Sequence, residues 1–298
     1  MHRKNFAFIV NSRKMLTIDP KEIPVPKMHS YLLGAIAPRP IAFASTIDKE
    51  GNINLSPFSF FNVFSANPPI LVFSPARRGR DNTTKHTYEN VMDVPEVVIN
   101  IVNYAMVQQA SLASTEYERG VNEFVKSGLT PIASQKVKPP RVMESPVSFE
   151  CKVNQIIQLG DQGGAGNLVI CEVLLAHFKE EILDEEGKID PQKLDAVARM
   201  GGDYYCRAQG EAIFTVPKPL LTKGIGVDQL PEVIRNSKVL TGNDLGMLGN
   251  VEALPSKGSV DEIIEFSGAT EVHQRAHQLL NQKKVQAAWR LLLTYHNL

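Results

Sequence analysis

Residues 40 to 62 read PIAFASTIDKEGNINLSPFSFFN, and this stretch sets the expectation for the fold. Pro40 to Thr46 is an apolar run with strand character. A polar turn containing a glycine follows at Asp48 to Asn52, and a second short run covers Ile53 to Ser56. Two such runs separated by a Gly-containing turn predict a β-hairpin.

Further runs of the same kind follow along the chain. Ile70 to Phe73 and Val97 to Val102 are short and continuously apolar, as expected of buried strands. Val147 to Leu159 alternates apolar and polar residues, and Leu168 to Phe178 is a second long apolar run. The Gly-rich segment Asp161 to Asn167 lies between them and can supply positive φ angles, so the two runs predict a second, longer hairpin.

Helical patterns separate the strands, and the first carries Asp81 or Asn82 as a possible N-cap. Hairpins of short strands interrupted by short helices predict a mainly β fold with helical additions, namely a β-barrel. A doubly wound sheet is not expected, because strands and long helices do not alternate. The predicted helices are Asp81 to Val91, Ala105 to Ser114 and Glu118 to Ser127.

The composition changes after about Ala208. Pro217 to Pro255 is rich in Pro, Gly and Asn, whereas Val260 to Leu293 has helical periodicity. We therefore predict a barrel domain at 15–210 and a mostly helical C-terminal extension at 211–298. Its apolar stripe is interpreted as docked core or a dimer contact rather than as a partner-binding helix. The stripe contains Ile263, Ile264, Phe266, Leu279, Leu280, Val285, Ala288, Trp289 and Leu292.

Charge and composition give no case for a nucleic-acid or membrane partner. The chain of 298 residues has 32 basic and 32 acidic residues, so its net charge gives no electrostatic case for nucleic acid or an anionic membrane. We find no transmembrane run and no signal peptide at the N-terminus, and we expect a cytoplasmic protein. The three cysteines, Cys151, Cys171 and Cys206, are far apart and fit buried thiols in a reducing compartment.

Two adjacent stretches carry the residue types that a phosphorylated aromatic ligand needs. Ser56 to Asn62 mixes hydroxyls with aromatic rings, which suits a planar ring with polar edges, although Phe58 and Phe61 could instead be core residues. Ser74 to Thr87 combines arginines, a lysine and hydroxyls in a loop before a predicted helix. That combination suits a phosphate, although a solvated basic loop has the same composition.

The order of these motifs resembles the flavin reductase-like, FMN-binding split-barrel family over about residues 20 to 210. The resemblance is carried by RPIAFAST at 39–46, NxSPFSFF at 54–61, NPP at 67–69 and FSPARRGRDNTTKHTxxN at 73–90, with RMGGDYY at 199–205 near the end of the barrel. The family often shows a Lys-Asp-Thr-x-x-Asn phosphate motif. Here His86 stands where the family has Asp, which leaves the role of that position open.

The resemblance implies an FMN-binding split β-barrel that transfers hydride from NADH or NADPH to flavin N5. No catalytic side chain is implied, because the flavin is the reactive centre. The reduced flavin could supply a monooxygenase or another acceptor, and a flavoredoxin-like electron carrier that does not react with NAD(P)H is the alternative. A barrel without flavin is a third possibility. The implied cofactor-binding residues are Ser45, Thr46, Asn54, Ser56, Pro57, Phe58, Ser59, Phe60, Ser74, Arg80, Thr84, Lys85, Thr87 and Arg199.

The same resemblance implies a homodimer with the flavin near the subunit interface, so that Arg199 to Tyr205 could come from the partner subunit. His86 could touch the dinucleotide or could simply cap a helix turn. His273 and His277 are spaced for a metal on one helix face, but no further ligand completes the set, so no metal is predicted. Rossmann, Walker A and nucleophile-elbow motifs do not occur.

Overall fold

The computed structural model describes residues 15–220, 223–255 and 266–298. These residues form two compact units divided between Phe214 and Thr215. The strands are β1 (Ala42–Ile47), β2 (Ile53–Phe58), β3 (Phe61–Ala66), β4 (Pro69–Phe73), β5 (Glu96–Ile101), β6 (Pro131–Ile132), β7 (Arg141–Val142), β8 (Val147–Gln158), β9 (Asn167–Phe178), β10 (Val197–Arg199) and β11 (Tyr205–Arg207). The helices are α1 (Val25–Ala35), α2 (His86–Asp93), α3 (Val107–Leu112), α4 (Glu123–Ser127), α5 (Pro191–Leu194), α6 (Glu232–Arg235), α7 (Gly242–Gly249), α8 (Ala269–Asn281) and α9 (Val285–His296).

Seven antiparallel strands of the first unit form one sheet in the order β2-β1-β5-β8-β9-β4-β3. Both predicted hairpins are confirmed: β1 pairs with β2 from Ala42↔Phe58 to Ile47↔Ile53, and β8 pairs with β9 along twelve-residue strands. β3 was missed. Its sequence does not alternate, and Val63 and Phe64 are both exposed.

The two edges of this sheet are joined by only two residues. β2 ends at Phe58 on one edge and β3 begins at Phe61 on the other. Three residue steps span at most about 11 Å, whereas a flat sheet of this order would separate its edge strands by roughly 29 Å. The sheet must therefore curl until its edges meet, which makes it a barrel with a split between β2 and β3.

Alternate residues of β1 enter two different cores. Ala42 and Ala44 lie in the barrel core with Phe73, whereas Phe43 packs under the helices with Phe124. Both faces of β1 are covered, so Ala42 to Ala44 form a continuously apolar run without alternation.

A buried carboxylate holds the free edge of β2. Glu123 is 5% exposed, and its Oε2 accepts a hydrogen bond of 2.9 Å from the backbone N–H of Leu55. α4 is positioned for this by Asn122, whose side chain accepts from the N–H of Phe124. The N–H of Leu55 at the free edge of β2 is thus satisfied by a side chain, and β2 pairs with β1 but not with β3.

Two predicted helices begin later than expected. α2 starts at His86, not near Asp81, because the Asp81 carboxylate accepts from the N–H and hydroxyl of Thr83 in a local turn. Asn82 adopts a left-handed φ of 59°, which ends any helical continuation. α4 starts at Glu123 rather than Glu118, since Asn122 is its cap and Gly120 has a φ of 85°.

The second unit has its own helical core around Trp289, which is fully buried and donates to the carbonyl of Leu248. The predicted helical stretch is two helices, α8 and α9, because Lys283 has a left-handed φ of 62° between them. Ile263 and Ile264 of the predicted stripe lie outside the described residues. Pro217 to Pro255, for which no helix was predicted, contains α6 and α7.

Two further findings apply only to the described ranges. None of the helices in them combines the length and apolar character needed to cross a lipid bilayer. The same residues contain no cluster of three or more His, Cys, Asp or Glu side chains able to hold a metal ion. His277 instead bonds the carboxylate of Asp244 at 2.8 Å, and His273 bonds Ser237 and His296.

The hydrogen bond from Leu55 to Glu123 leads to a prediction about stability. Glu123→Ala leaves the buried N–H of Leu55 without a partner, so we expect the free energy of unfolding to fall by about 2 kcal/mol in urea titrations. Glu123→Gln keeps an acceptor oxygen and should lose less stability.

Burial raises the pKa of Glu123 despite the hydrogen bond from Leu55. The folded protein therefore holds this proton more tightly than the unfolded chain does, and the resulting stability is lost as pH rises through the folded pKa.

Glu123→Gln should abolish that part of the pH dependence between acidic and neutral pH. A Gln variant whose stability still falls with pH as in the unsubstituted protein would show that Glu123 is not its source.

Candidate functional site

A cavity of about 500 Å³ opens at the split of the barrel. One wall is formed by Ser56 to Phe60, the end of β2 and its link to β3. The opposite wall is the loop after β4, from Ser74 to Arg80, and α1 adds His29 and Leu33. The two stretches that the sequence singled out therefore face each other across one cavity.

The aromatic residues of the first wall have different surroundings. Phe58 is buried and packs against Phe73 with ring centroids 5.5 Å apart, so it belongs both to the core and to the cavity wall. Phe60 is 38% exposed, and its ring meets His29 edge to face at 6.2 Å. Phe61 lines neither this cavity nor the smaller one described below and packs against the barrel core.

Ser74 presents an unsatisfied hydroxyl at this cavity. Its Oγ is buried and has no hydrogen-bond partner within the described chain, although buried hydroxyls are nearly always paired. The backbone N–H of Ser74 is fixed by the carbonyl of Phe60 at 2.9 Å. A polar ligand group in the cavity could pair with this Oγ.

A buried arginine that the sequence analysis missed positions the first wall. Arg39 is 6% exposed and donates to the carbonyls of Leu33, Ile36 and Met200 at 2.5, 2.6 and 2.9 Å. Its Nε also lies 3.4 Å from Oγ of Ser59. Burial, together with the charge of Arg199, lowers the pKa of Arg39. This side chain ties the end of α1 to Ser59 and to the segment after β10.

The Gly-rich turn of the long hairpin shapes the second wall. The N–H of Arg77 donates to Ala165 at 2.8 Å, and the N–H of Gly164 donates to Arg77 at 3.0 Å. A Cβ on Gly163 would lie 3.1 Å from the carbonyl oxygens of Arg78 and Gly79. The glycines thus allow the two backbone segments to approach closely, and Gly164 also adopts a positive φ of 89°.

Cationic side chains gather at one end of the cavity. Arg78 Nε and Lys85 Nζ lie 3.1 and 3.2 Å from the same oxygen of Glu116, and Arg80 bonds its other oxygen. A narrow niche of about 20 Å³ adjoins this cluster, with Lys85, Thr87 and Asn54 among its lining residues.

The niche also lies at the start of a helix. Lys85 is the N-cap of α2 and no side chain caps the first turn, so its amides face this end of the cavity with the positive end of the helix dipole. Asn54 Nδ2 lies 3.4 Å from Oγ1 of Thr87. These groups together give this end of the cavity the positive charge and donors that suit an anion.

Three predicted site residues lie away from these cavities. Ser45 and Thr46 are fully buried in β1, and Thr46 Oγ1 accepts from Asn90 Nδ2 at 3.1 Å, which joins α2 to the barrel. The Oγ of Ser45 is buried without a partner in the described chain. The carbonyl of Thr84 accepts from Arg78, so Thr84 shapes the loop rather than lining the cavity.

Arg199 lies at a second, smaller cavity of about 220 Å³. Its guanidinium lies over the ring of Tyr205 at 4.7 Å and donates to the carbonyl of Gly202 at 2.9 Å. Pro57 and Ser59 line both cavities. The two spaces therefore meet at the segment that links β2 to β3.

His86, at the position left open by the motif, is half-buried at the niche. Burial is the largest cause that lowers its pKa, and the charges of Arg78, Arg119 and Lys85 act in the same direction. A neutral imidazole is therefore favoured beside the cationic cluster.

Other lining residues came from segments without a sequence signal. Ser114 and Glu116 follow α3, far from either motif, and His29 belongs to α1, for which no helix was predicted. The prolines Pro24 and Pro26 at the start of α1 were the available indication of a helix start.

Known proteins with the same architecture identify the class. Residues 34–194 match the model of the flavin reductase like domain. An uncharacterized protein of Aquifex aeolicus is 40% identical over 191 residues, which cover 64% of this chain and 95% of that protein. The chain therefore belongs to the flavin reductase-like family, and its first unit is a split barrel of that family.

Solved structures agree with this assignment. Nitrilotriacetate monooxygenase component B from Bacillus cereus is 31% identical with a TM-score of 0.64, over 69% of this chain and all of that chain. A Shewanella frigidimarina protein with a split barrel domain is 28% identical with a TM-score of 0.56, over 66% of this chain and 95% of that chain.

Proposed function

We propose that this protein binds FMN in the larger cavity and transfers hydride from NADH or NADPH to it. The observation that carries the proposal is the asymmetry of the cavity. One end gathers Arg78, Arg80 and Lys85 beside the start of α2, and the body has hydroxyl and aromatic walls. This distribution matches a ligand with an anionic group at one end and a planar ring with polar edges at the other.

The residues that line the larger cavity and the niche fit FMN. The unpaired Oγ of Ser74 is buried at the cavity wall and supplies a hydrogen-bonding group for a polar ring edge. Ser56 and Ser59 add further hydroxyls, and the half-exposed ring of Phe60 offers an apolar face. Lys85 and Thr87 are proposed to hold the phosphate.

A bound flavin supplies the hydride-accepting chemistry, and the chain supplies binding and orientation. The smaller cavity is proposed for the nicotinamide substrate, because it shares Pro57 and Ser59 with the larger one and presents the cation of Arg199. Arg39 holds Ser59 in place between the two spaces.

The reduced flavin is proposed to serve a second protein. The solved relative from Bacillus cereus is named as component B of a monooxygenase, which supports a monooxygenase as the acceptor of electrons from this chain.

A homodimer is proposed as the working unit. β3 is an edge strand, and its Val63 and Phe64 are 63% and 68% exposed. α1 buries none of its residues, although Leu32 and the following Ile36 are large and apolar. Adjacent apolar side chains on an unpaired strand edge favour a protein contact.

Hydride transfer is tested by stopped-flow mixing of the FMN-loaded protein with NADH and, separately, with NADPH under anaerobic conditions. We expect at least one nucleotide to bleach the flavin absorbance within seconds and to be oxidised in equal amount. If dithionite bleaches the flavin but neither nucleotide does, the chain is instead a flavoredoxin-like electron carrier.

The phosphate assignment is tested by Lys85→Ala combined with Thr87→Ala. Loss of charge-assisted hydrogen bonds should cost about 3 kcal/mol, so the Kd for FMN measured by fluorescence titration should rise roughly a hundredfold. The Kd for riboflavin, which has no phosphate, should not change. Lys138→Ala combined with Thr130→Ala removes an exposed pair of the same residue types as a control. Equal loss of FMN and riboflavin would contradict the assignment.

The dimer is tested by Val63→Asp combined with Phe64→Asp. Two carboxylates on the β3 edge should halve the mass measured by light scattering after size exclusion, because their burial in an interface is unfavourable. Val125→Asp is the control, since Val125 is 78% exposed on α4. A monomeric unsubstituted protein, or an unchanged mass in the double variant, would overturn the proposed interface.

A further inference from the structure

Glu116 occupies the centre of the cationic cluster. In the described chain, every hydrogen bond of its carboxylate goes to a cationic side chain: one oxygen accepts from Arg78 and Lys85 at 3.1 and 3.2 Å, and the other accepts from Arg80. These three cations come from the loop after β4 and from the cap of α2, whereas Glu116 reaches them from the segment after α3. The carboxylate of Glu116 thus binds three cations that come from separate elements of the chain.

The position of Glu116 overlaps with that of the proposed ligand. Its side chain lines both the larger cavity and the niche that contains Thr87. Burial alone would raise its pKa, but hydrogen bonds and charges from Lys85 and Arg78 lower it overall, so the carboxylate is ionised at neutral pH. A phosphate group that used the same donors would meet a fixed negative charge among them.

The surrounding charges do not remove this conflict. Arg80 also bonds Asp81, and Arg119 is paired with Glu89. The guanidinium of Arg77, which lines the same cavity, is held by the side chain and carbonyl of Asn82, so Arg78 and Lys85 are donors that a phosphate would share with Glu116. The Glu116 side chain is 35% exposed, which allows it to leave the cluster towards solvent. Arg78, at 14%, is more enclosed than Glu116, whereas Arg80 is 70% exposed.

We infer that Glu116 is an internal counter-ion that competes with the phosphate of FMN for Arg78, Arg80 and Lys85, so that FMN is exchanged rather than held permanently. This inference rests on the proposed FMN site and adds a determinant of its affinity. The carboxylate keeps the cations together when phosphate leaves and weakens phosphate when it is bound. Its removal is therefore expected to strengthen binding, the opposite of what loss of an ordinary contact residue does.

The test uses the full-length protein and its Glu116→Gln variant, which keeps the size and one acceptor oxygen but removes the charge. Kd values for FMN and riboflavin are measured by fluorescence titration, and FMN dissociation is followed by dilution. We expect the Kd for FMN to fall about tenfold and its dissociation to slow, with no change for riboflavin. The gain should shrink at high salt, because screening weakens the competition. Glu118→Gln, an exposed neighbour, is the matched control.

An unchanged or weaker FMN affinity in Glu116→Gln, or an equal gain for riboflavin, would overturn the inference while leaving the FMN site intact. If the unsubstituted protein and its variant bind neither flavin, the proposed function fails, and the inference fails with it.

Discussion

The link of two residues between opposite edges of the sheet is the constraint on which the rest of this structure depends. Because Phe58 and Phe61 belong to the two edge strands, the sheet has to curl until its edges lie within a few residue lengths of each other. Glu123 accepts from the N–H of Leu55 at the free edge of β2, and the two edges do not pair. The gap that results is lined by Ser56 to Phe60 and is the mouth of the larger cavity. The barrel topology and the candidate site are therefore consequences of the same short link.

Contacts between elements far apart in the chain shape the walls of the larger cavity. Arg39 joins α1 to Ser59 and Met200, and the turn of the long hairpin holds the backbone of Arg77 from the other side. The buried guanidinium has carbonyl oxygens as its main partners, so its charge is balanced by dipoles rather than by a carboxylate. Walls held in place by such contacts are pre-organised, and pre-organisation lowers the ordering cost of binding a ligand. The cationic end is different, since its geometry depends on an anion that can be exchanged.

The candidate site is formed by residues of the first unit. The family match and both cavities fall in the first unit, and the FMN and NAD(P)H proposals rest on it alone. The second unit buries Trp289, Leu248 and Leu292 in a core of its own, with a capping box at Thr241 and Asp244 to begin α7. The described members of the apolar stripe, from Phe266 to Leu292, all pack in this core.

The hairpins, the mainly β class of fold and the position of the loop proposed to hold phosphate could be predicted from the sequence, because alternation, turn glycines and a basic run before a helix are local patterns of a few residues. The sequence by itself did not determine β3, whose pairing with β4 is set by the neighbouring strand and not by its own pattern. Nor did it determine the start of α2, because the Asp81 carboxylate accepts a hydrogen bond from the N–H of Thr83 instead of capping the helix. The tertiary structure alone decided that Ser45 and Thr46 are enclosed in the barrel wall, and that Arg39 and Glu116 join the site. Arg39 and Glu116 bond groups that are far from them in the sequence and that only folding brings close. A local sequence pattern cannot predict such contacts.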